Sequence, residues 1–123
     1  MNDWEKIVCL ILSVNRWELT KTLDSYAKLK EKKIFDVDFI AQSDFQDVGM
    51  RLKQAGYDRG SLTFMMSDRL VSAAKTITEK DINVQGTLLE TESEENRKFL
   101  LSLSGLGEKS VSDFYRIIWN QQS

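Results

Sequence analysis

Leu62, Met65, Met66, Leu70, Ala73, Ala74 and Ile77 recur at intervals of three and four, and no proline interrupts them. An apolar stripe of that period, about four turns long, meets a core only as one face of an α-helix. A helix with one apolar face must be covered by other elements, so the question becomes what covers it. The same spacing appears elsewhere in the chain. Trp4, Ile7, Val8 and Ile11 follow it while Cys9, Leu10 and Leu12 fill the remaining faces, which predicts a helix buried all round. A buried strand over Ile7 to Leu12 is the alternative. Leu19, Leu23, Tyr26 and Ala27 define another helical face, with Asn15 as its cap, leading into a solvated stretch from Lys28 to Lys33.

The 123 residues contain no proline at all, so helix ends must be set by glycine and by polar caps. Ser43-Asp44-Phe45-Gln46 has the capping-box form, and the stripe Phe45, Val48, Leu52 runs from it to Gly56, which suits a left-handed C-terminal cap. Gly56 to Gly60 is a turn ahead of the long stripe. Periodicity is lost between Lys80 and Thr91, around Gly86, and Thr91 or Ser93 is the next cap. Phe99, Leu100 and Leu103 then form one short face, and Val111, Phe114, Tyr115 and Ile118 form a second. The expected fold is all-α, a compact bundle or barrel of about six helices within a single domain spanning 1–123.

Composition narrows the chemistry. With no histidine, the commonest general base and metal ligand are missing, and any catalysis must rest on Lys, Asp, Glu, Ser or Tyr. The single cysteine, Cys9, lies inside an apolar run and is expected in the core; one thiol supports neither a disulfide framework nor an iron–sulfur site. We expect no metal and no cofactor. No apolar stretch approaches the roughly 20 residues of a membrane span, and Met1-Asn2-Asp3-Trp4-Glu5-Lys6 is acidic where a secretory leader is basic, so the cytoplasm is the expected location. A net charge of −2 argues against holding nucleic acid by bulk electrostatics, though not against a local patch or a set of backbone donors.

The segment Phe99-Leu-Leu-Ser-Leu-Ser-Gly-Leu-Gly-Glu-Lys-Ser-Val places two glycines around one apolar residue, between two short amphipathic helices. Gly105 and Gly107 are free to take positive φ and to let a ligand approach the backbone. Leu106 is expected to plug the space between the helices, and the first amides of the second helix are donors suited to a phosphate. Gly-x-Gly is equally the mark of an ordinary tight helix–helix turn.

Leu103-Ser-Gly-Leu-Gly-Glu-Lys-Ser-Val resembles the Leu-Pro-Gly-Val-Gly-x-Lys-Thr-Ala hairpin of the helix-hairpin-helix DNA glycosylases, the endonuclease III superfamily, with Ser104 in place of the usual proline. Leu10-Ile-Leu-Ser-Val-Asn-Arg is similar to that family's Leu-Leu-Ser-Ala-Gln segment, and Ala55-Gly-Tyr-Asp-Arg-Gly-Ser-Leu to its Gly-Phe-Tyr-Arg-x-Lys-Ala turn. The resemblance implies the six-helix barrel half of such a protein, with the helix-hairpin-helix at about 94–120. It implies DNA contact through Gly105, Leu106, Gly107, Lys109 and Ser110, with Asn15 at the position of the family's DNA-probing glutamine. Lys109 falls where bifunctional members carry the lysine that attacks the sugar of a flipped nucleotide. The aspartate that assists it, beyond the second hairpin helix, has no counterpart before Ser123, and the family's second helical domain and cysteine-cluster loop are also missing from these residues.

Asp113, four residues after Lys109, favours the charged ammonium, whereas a nucleophile needs the neutral amine. Lys109 therefore also reads as a solvated or phosphate-facing lysine. The expected function is a catalytically incomplete, DNA-binding relative of the repair glycosylases. Two alternatives are a glycosylase or lyase active only with a partner chain or as a homo-oligomer, and a helical protein–protein interaction module built on Trp4, Trp17 and Trp119 if these are exposed.

Overall fold

The computed structural model describes residues 1–13, 19–86, 89, 91–103, 105–113 and 115–116. Eight helices and no strand are found among them: α1 (Asp3–Leu12), α2 (Leu19–Asp24), α3 (Tyr26–Glu31), α4 (Val37–Ala41), α5 (Phe45–Gln54), α6 (Ser61–Glu79), α7 (Glu94–Ser102) and α8 (Glu108–Asp113). The strand alternative for Ile7 to Leu12 is thereby excluded.

All ten side chains of α1 are buried, its charged Asp3, Glu5 and Lys6 included. Burying an aliphatic or aromatic side chain contributes about 1.5–3 kcal/mol, so Trp4, Ile7, Val8, Ile11 and Leu12 supply a large driving force. That gain survives only if the polar groups taken inside with them are bonded. At the N-terminus, Asn2 accepts the Glu5 amide while the Glu5 carboxylate accepts the Asn2 amide, both at 2.9 Å, closing a capping box. The next two orphan amides are met from the other end of the chain. Asp3 N–H donates to the Gly86 carbonyl at 2.9 Å, and Trp4 N–H to the Val84 carbonyl at 3.0 Å. The Asp3 carboxylate in turn accepts the Leu89 amide at 3.1 Å. Trp4 Nε1 donates to the Ile34 carbonyl at 3.2 Å, and Tyr57 Oη donates to the Leu12 carbonyl at 2.6 Å, where α1 ends. The Tyr26 hydroxyl closes on the second Glu5 oxygen at 2.6 Å.

Around this axle α6 packs against α4 and α5 and touches α1. Its inner face is Met66, Leu70, Val71, Ala73, Ala74 and Ile77; Leu62 and Met65 of the expected stripe face solvent instead. Three other local expectations are corrected. The long second helix divides at Ser25 into α2 and α3, whose buried residues are Thr22 and Leu29; Tyr26 is half-buried and Ala27 exposed. The α4 turn is an additional element, capped by the Asp36 carboxylate on the Phe39 amide. Asp44, not Ser43, caps α5, because the Ser43 hydroxyl donates back to the Phe39 carbonyl at 2.6 Å. Trp4 is wholly buried, while Trp17 and Trp119 lie outside the described residues. Gly56 does take the left-handed conformation at the end of α5, with φ 97°.

Two outcomes are expected. Tyr57→Phe leaves the Leu12 carbonyl buried without its donor and should cost about 1–3 kcal/mol in urea unfolding; an unchanged midpoint would contradict the role assigned to that bond. The second outcome concerns alkali. Burial, with Glu5 adding to it, pushes Cys9 up from 9.0 to about 12, and the bond to Glu5, then burial, pushes Tyr26 from 10.0 to about 12. Burial also raises Tyr57, and raises Tyr115 to about 12. The folded state therefore holds these protons more tightly than the unfolded chain. Their stabilisation is complete below the unfolded values of 9.0 and 10.0 and is lost as pH rises through about 12. Tyrosinate absorbance should show no residue titrating at the ordinary value, and its rise should coincide with unfolding.

Candidate nucleic-acid interface

The hairpin starts at Ser93, whose hydroxyl accepts the Asn96 amide at 3.1 Å and opens α7. Leu100 and Leu103 turn inward, with Leu100 wholly buried, and α7 stops where Leu103 becomes extended, at ψ 142°. Leu106 N–H then donates to the Leu103 carbonyl at 3.3 Å, and Gly105, between them, has φ 84°. A bond from the fourth residue to the first, with positive φ at the third, is a turn that favours glycine at that third place. Leu106 is 7% exposed and Val111 wholly buried, so one apolar residue in the turn and one in α8 tie the hairpin to the core. The expected plug is present.

Around that plug the backbone is open. Gly105, Gly107, Glu108 and Lys109 are exposed and Ser110 is half-buried. The bond from Val111 N–H to the Gly107 carbonyl, at 3.0 Å, begins the α8 ladder, so the amides of Glu108, Lys109 and Ser110 precede it. A Cβ built on Gly107 meets nothing within 4 Å. Of the two, only Gly105 meets the expectation of positive φ; Gly107, the residue before α8, is not among the positive-φ glycines. Asn15 and Ser104 lie outside the described residues, as does the side chain of Asp113, so the pairing expected between Asp113 and Lys109 falls there too.

Arg97 straps the two arms together. Its guanidinium donates to Glu92 at 2.7 Å and to Glu108 at 3.0 Å, drawing the Glu108 carboxylate toward α7. Both acids are more than half exposed, so the strap orients more than it stabilises. Tyr115, after α8, packs on the core and is close enough to Glu92, Arg97 and Asp3 to sense their charges. The hairpin is thus seated near the buried end of α1.

One residue missed in the sequence belongs to this surface. A Cβ on Gly105 would fall 2.5 Å from Cδ, 2.8 Å from Nε and 3.2 Å from Cζ of Arg69, half-buried on α6. Gly105 is required twice, by its backbone conformation and by the guanidinium laid against it. No local pattern announces such a contact, because it joins positions far apart in the chain. Two clefts lie elsewhere. One, of about 430 Å³, is lined by Val37, Asp38, Ile77, Asp81 and Asn83 among others; the second, of about 410 Å³, by Phe45, Gln46, Met50 and Phe64. Neither lining includes Lys109. Among the described residues no three His, Cys, Asp or Glu side chains form a metal-holding group, and no helix is long and apolar enough to cross a membrane. Compared with protein-family models, curated proteins and solved structures, the chain matches none of them.

Gly105→Ala should destabilise the protein by about 1–2 kcal/mol from backbone strain alone, before Arg69 is displaced. Gly107→Ala, with open space at its Cβ, should cost about 0.5 kcal/mol. Equal thermal shifts for the two variants would contradict the turn geometry.

Proposed function

We propose that this chain binds the phosphate backbone of DNA through the hairpin of α7 and α8, as a catalytically incomplete relative of the helix-hairpin-helix repair glycosylases. The observation that carries the reading is the turn itself. Gly105 is left-handed, Leu106 is sunk into the core, and Gly107 to Lys109 stand exposed at the start of α8. Such a turn offers the amides that open α8, with open space at the Gly107 Cβ position, and Lys109 adds a cation at its rim. The resemblance at Leu103 to Val111 supplies the ligand class, since the same glycine spacing serves DNA phosphate in that family. Oxyanions of other kinds are the competitors that a binding experiment separates.

Lys109 contributes charge in this reading, not chemistry. A Schiff-base lysine works from a desolvated pocket or beside another cation, and Lys109 is exposed to solvent. Contacts of this type position a protein on the duplex without reading bases, so binding is independent of sequence. With a net charge of −2 and Lys109 as the cation at the turn's rim, the affinity belongs to the non-specific class, with dissociation constants of about 10⁻⁴–10⁻⁶ M at physiological salt.

A short duplex should be retarded by the protein at low salt and released as salt rises. Gly107→Ala, which keeps the fold but puts a methyl group on the exposed backbone, should weaken that retardation several-fold. Borohydride treatment with an abasic duplex should give no covalent adduct. Equal duplex mobility with and without protein at low salt contradicts the binding reading; an adduct lost in Lys109→Gln contradicts the catalytic part of it.

A further inference from the structure

Arg69 has a distinctive place among the described side chains. Arg51 pairs with Asp47, and Arg97 with Glu92 and Glu108, but Arg69 has no carboxylate within ion-pair distance among the described residues. Its Nη1 donates to the Met66 sulfur, at 3.8 Å, a weak acceptor for a full charge. The stem is half-buried and the Nε and Cζ atoms lie against the Gly105 backbone, on the exposed turn. A guanidinium has five donors in a fixed planar fork, and one sulfur leaves most of them to solvent or to an incoming anion.

We infer that Arg69 is a second arm of the hairpin site, a guanidinium delivered from α6 that grips a phosphate seated on the Gly105–Gly107 backbone. The inference rests on the hairpin reading above and deepens it: the ligand is a phosphodiester held by an arginine fork as well as by the turn. Three features fit together here. The contact of Arg69 Nη1 with the sulfur of Met66, which is wholly buried, limits the freedom of the guanidinium and lowers the entropy lost on binding. Laying the fork along Gly105 keeps it within a phosphate's width of the turn. The missing carboxylate leaves the charge uncompensated, which is what an oxyanion contact needs. Glycine at 105 then has a functional consequence, because any side chain there would displace the arginine.

The test measures binding of a labelled plain duplex by anisotropy at several salt concentrations, with the wild type, Arg69→Gln, Arg69→Lys and Gly107→Ala, each checked by thermal melting. Loss of one phosphate contact should lower affinity about tenfold and reduce the slope of log affinity against log salt by about one. Arg69→Lys, which keeps the charge and loses the fork, should fall between Arg69→Gln and the wild type. A purely structural arginine would change the melt and leave the salt slope alone. If Arg69→Gln binds with wild-type affinity and slope while Gly107→Ala is weakened, the Arg69 inference is overturned and the hairpin reading stands. If the wild type does not bind at low salt, both fall. Should Arg69→Gln fail to fold, the Arg69 Nε–H resonance of the wild type decides: it is expected to shift on adding duplex, and an unmoved resonance overturns the inference.

Discussion

The fold depends on keeping one helix buried on every side. The ten residues of α1 carry Asp3, Glu5 and Lys6 into the interior along with their apolar neighbours, and the backbone groups at both ends lose water. The backbone groups find partners at Tyr57, Val84 and Gly86, and the Trp4 indole and Asp3 carboxylate at Ile34 and Leu89, positions drawn from most of the chain's length. Each partner makes a net contribution of only about 1 kcal/mol, but each would leave a larger penalty if removed. The α1 helix therefore fixes where the surrounding segments can lie, which a purely apolar axle would not do.

Val84, Gly86 and Leu89 are where this constraint reaches the candidate site. The first two answer the first amides of α1 and the third donates to the Asp3 carboxylate, which fixes backbone a few residues ahead of Ser93 and α7. Leu100, Leu103, Leu106 and Val111 then fill the core from the hairpin side, leaving the glycine backbone outside. Rigid apolar anchoring under an open turn is a sound arrangement for a site made of backbone donors, since donors fixed in advance need no reordering when an anion arrives. Arg97 and Arg69 act on opposite demands, the first occupying nearby carboxylates and the second remaining without one among the described residues.

Much of this was legible in local sequence, where the determining physics is local. The all-round apolar content of Trp4 to Leu12 predicted burial on every face; Gly56 and Ser93 marked helix ends through their own backbone and side-chain preferences; Gly105, Leu106 and Val111 announced the turn and its plug. The errors arose where two local solutions compete or where the partner is remote. Ser43 and Asp44 are both able caps, and the choice fell to Asp44 because Ser43 bonds back into α4. Leu62 and Met65 continue a helical period beyond the point where anything covers it. The pairing of α1 with Val84 and Gly86, and the contact of Arg69 with Gly105, join residues tens of positions apart and have no signature in spacing.

The central claim, that the exposed hairpin backbone is a phosphate site, is tested most directly by an amide-resolved NMR titration of the protein with a short duplex at two salt concentrations. Shifts centred on Gly105 to Ser110 that fade as salt is raised are the expected result. Shifts confined to another face, or none at the hairpin with duplex in large excess, would contradict it.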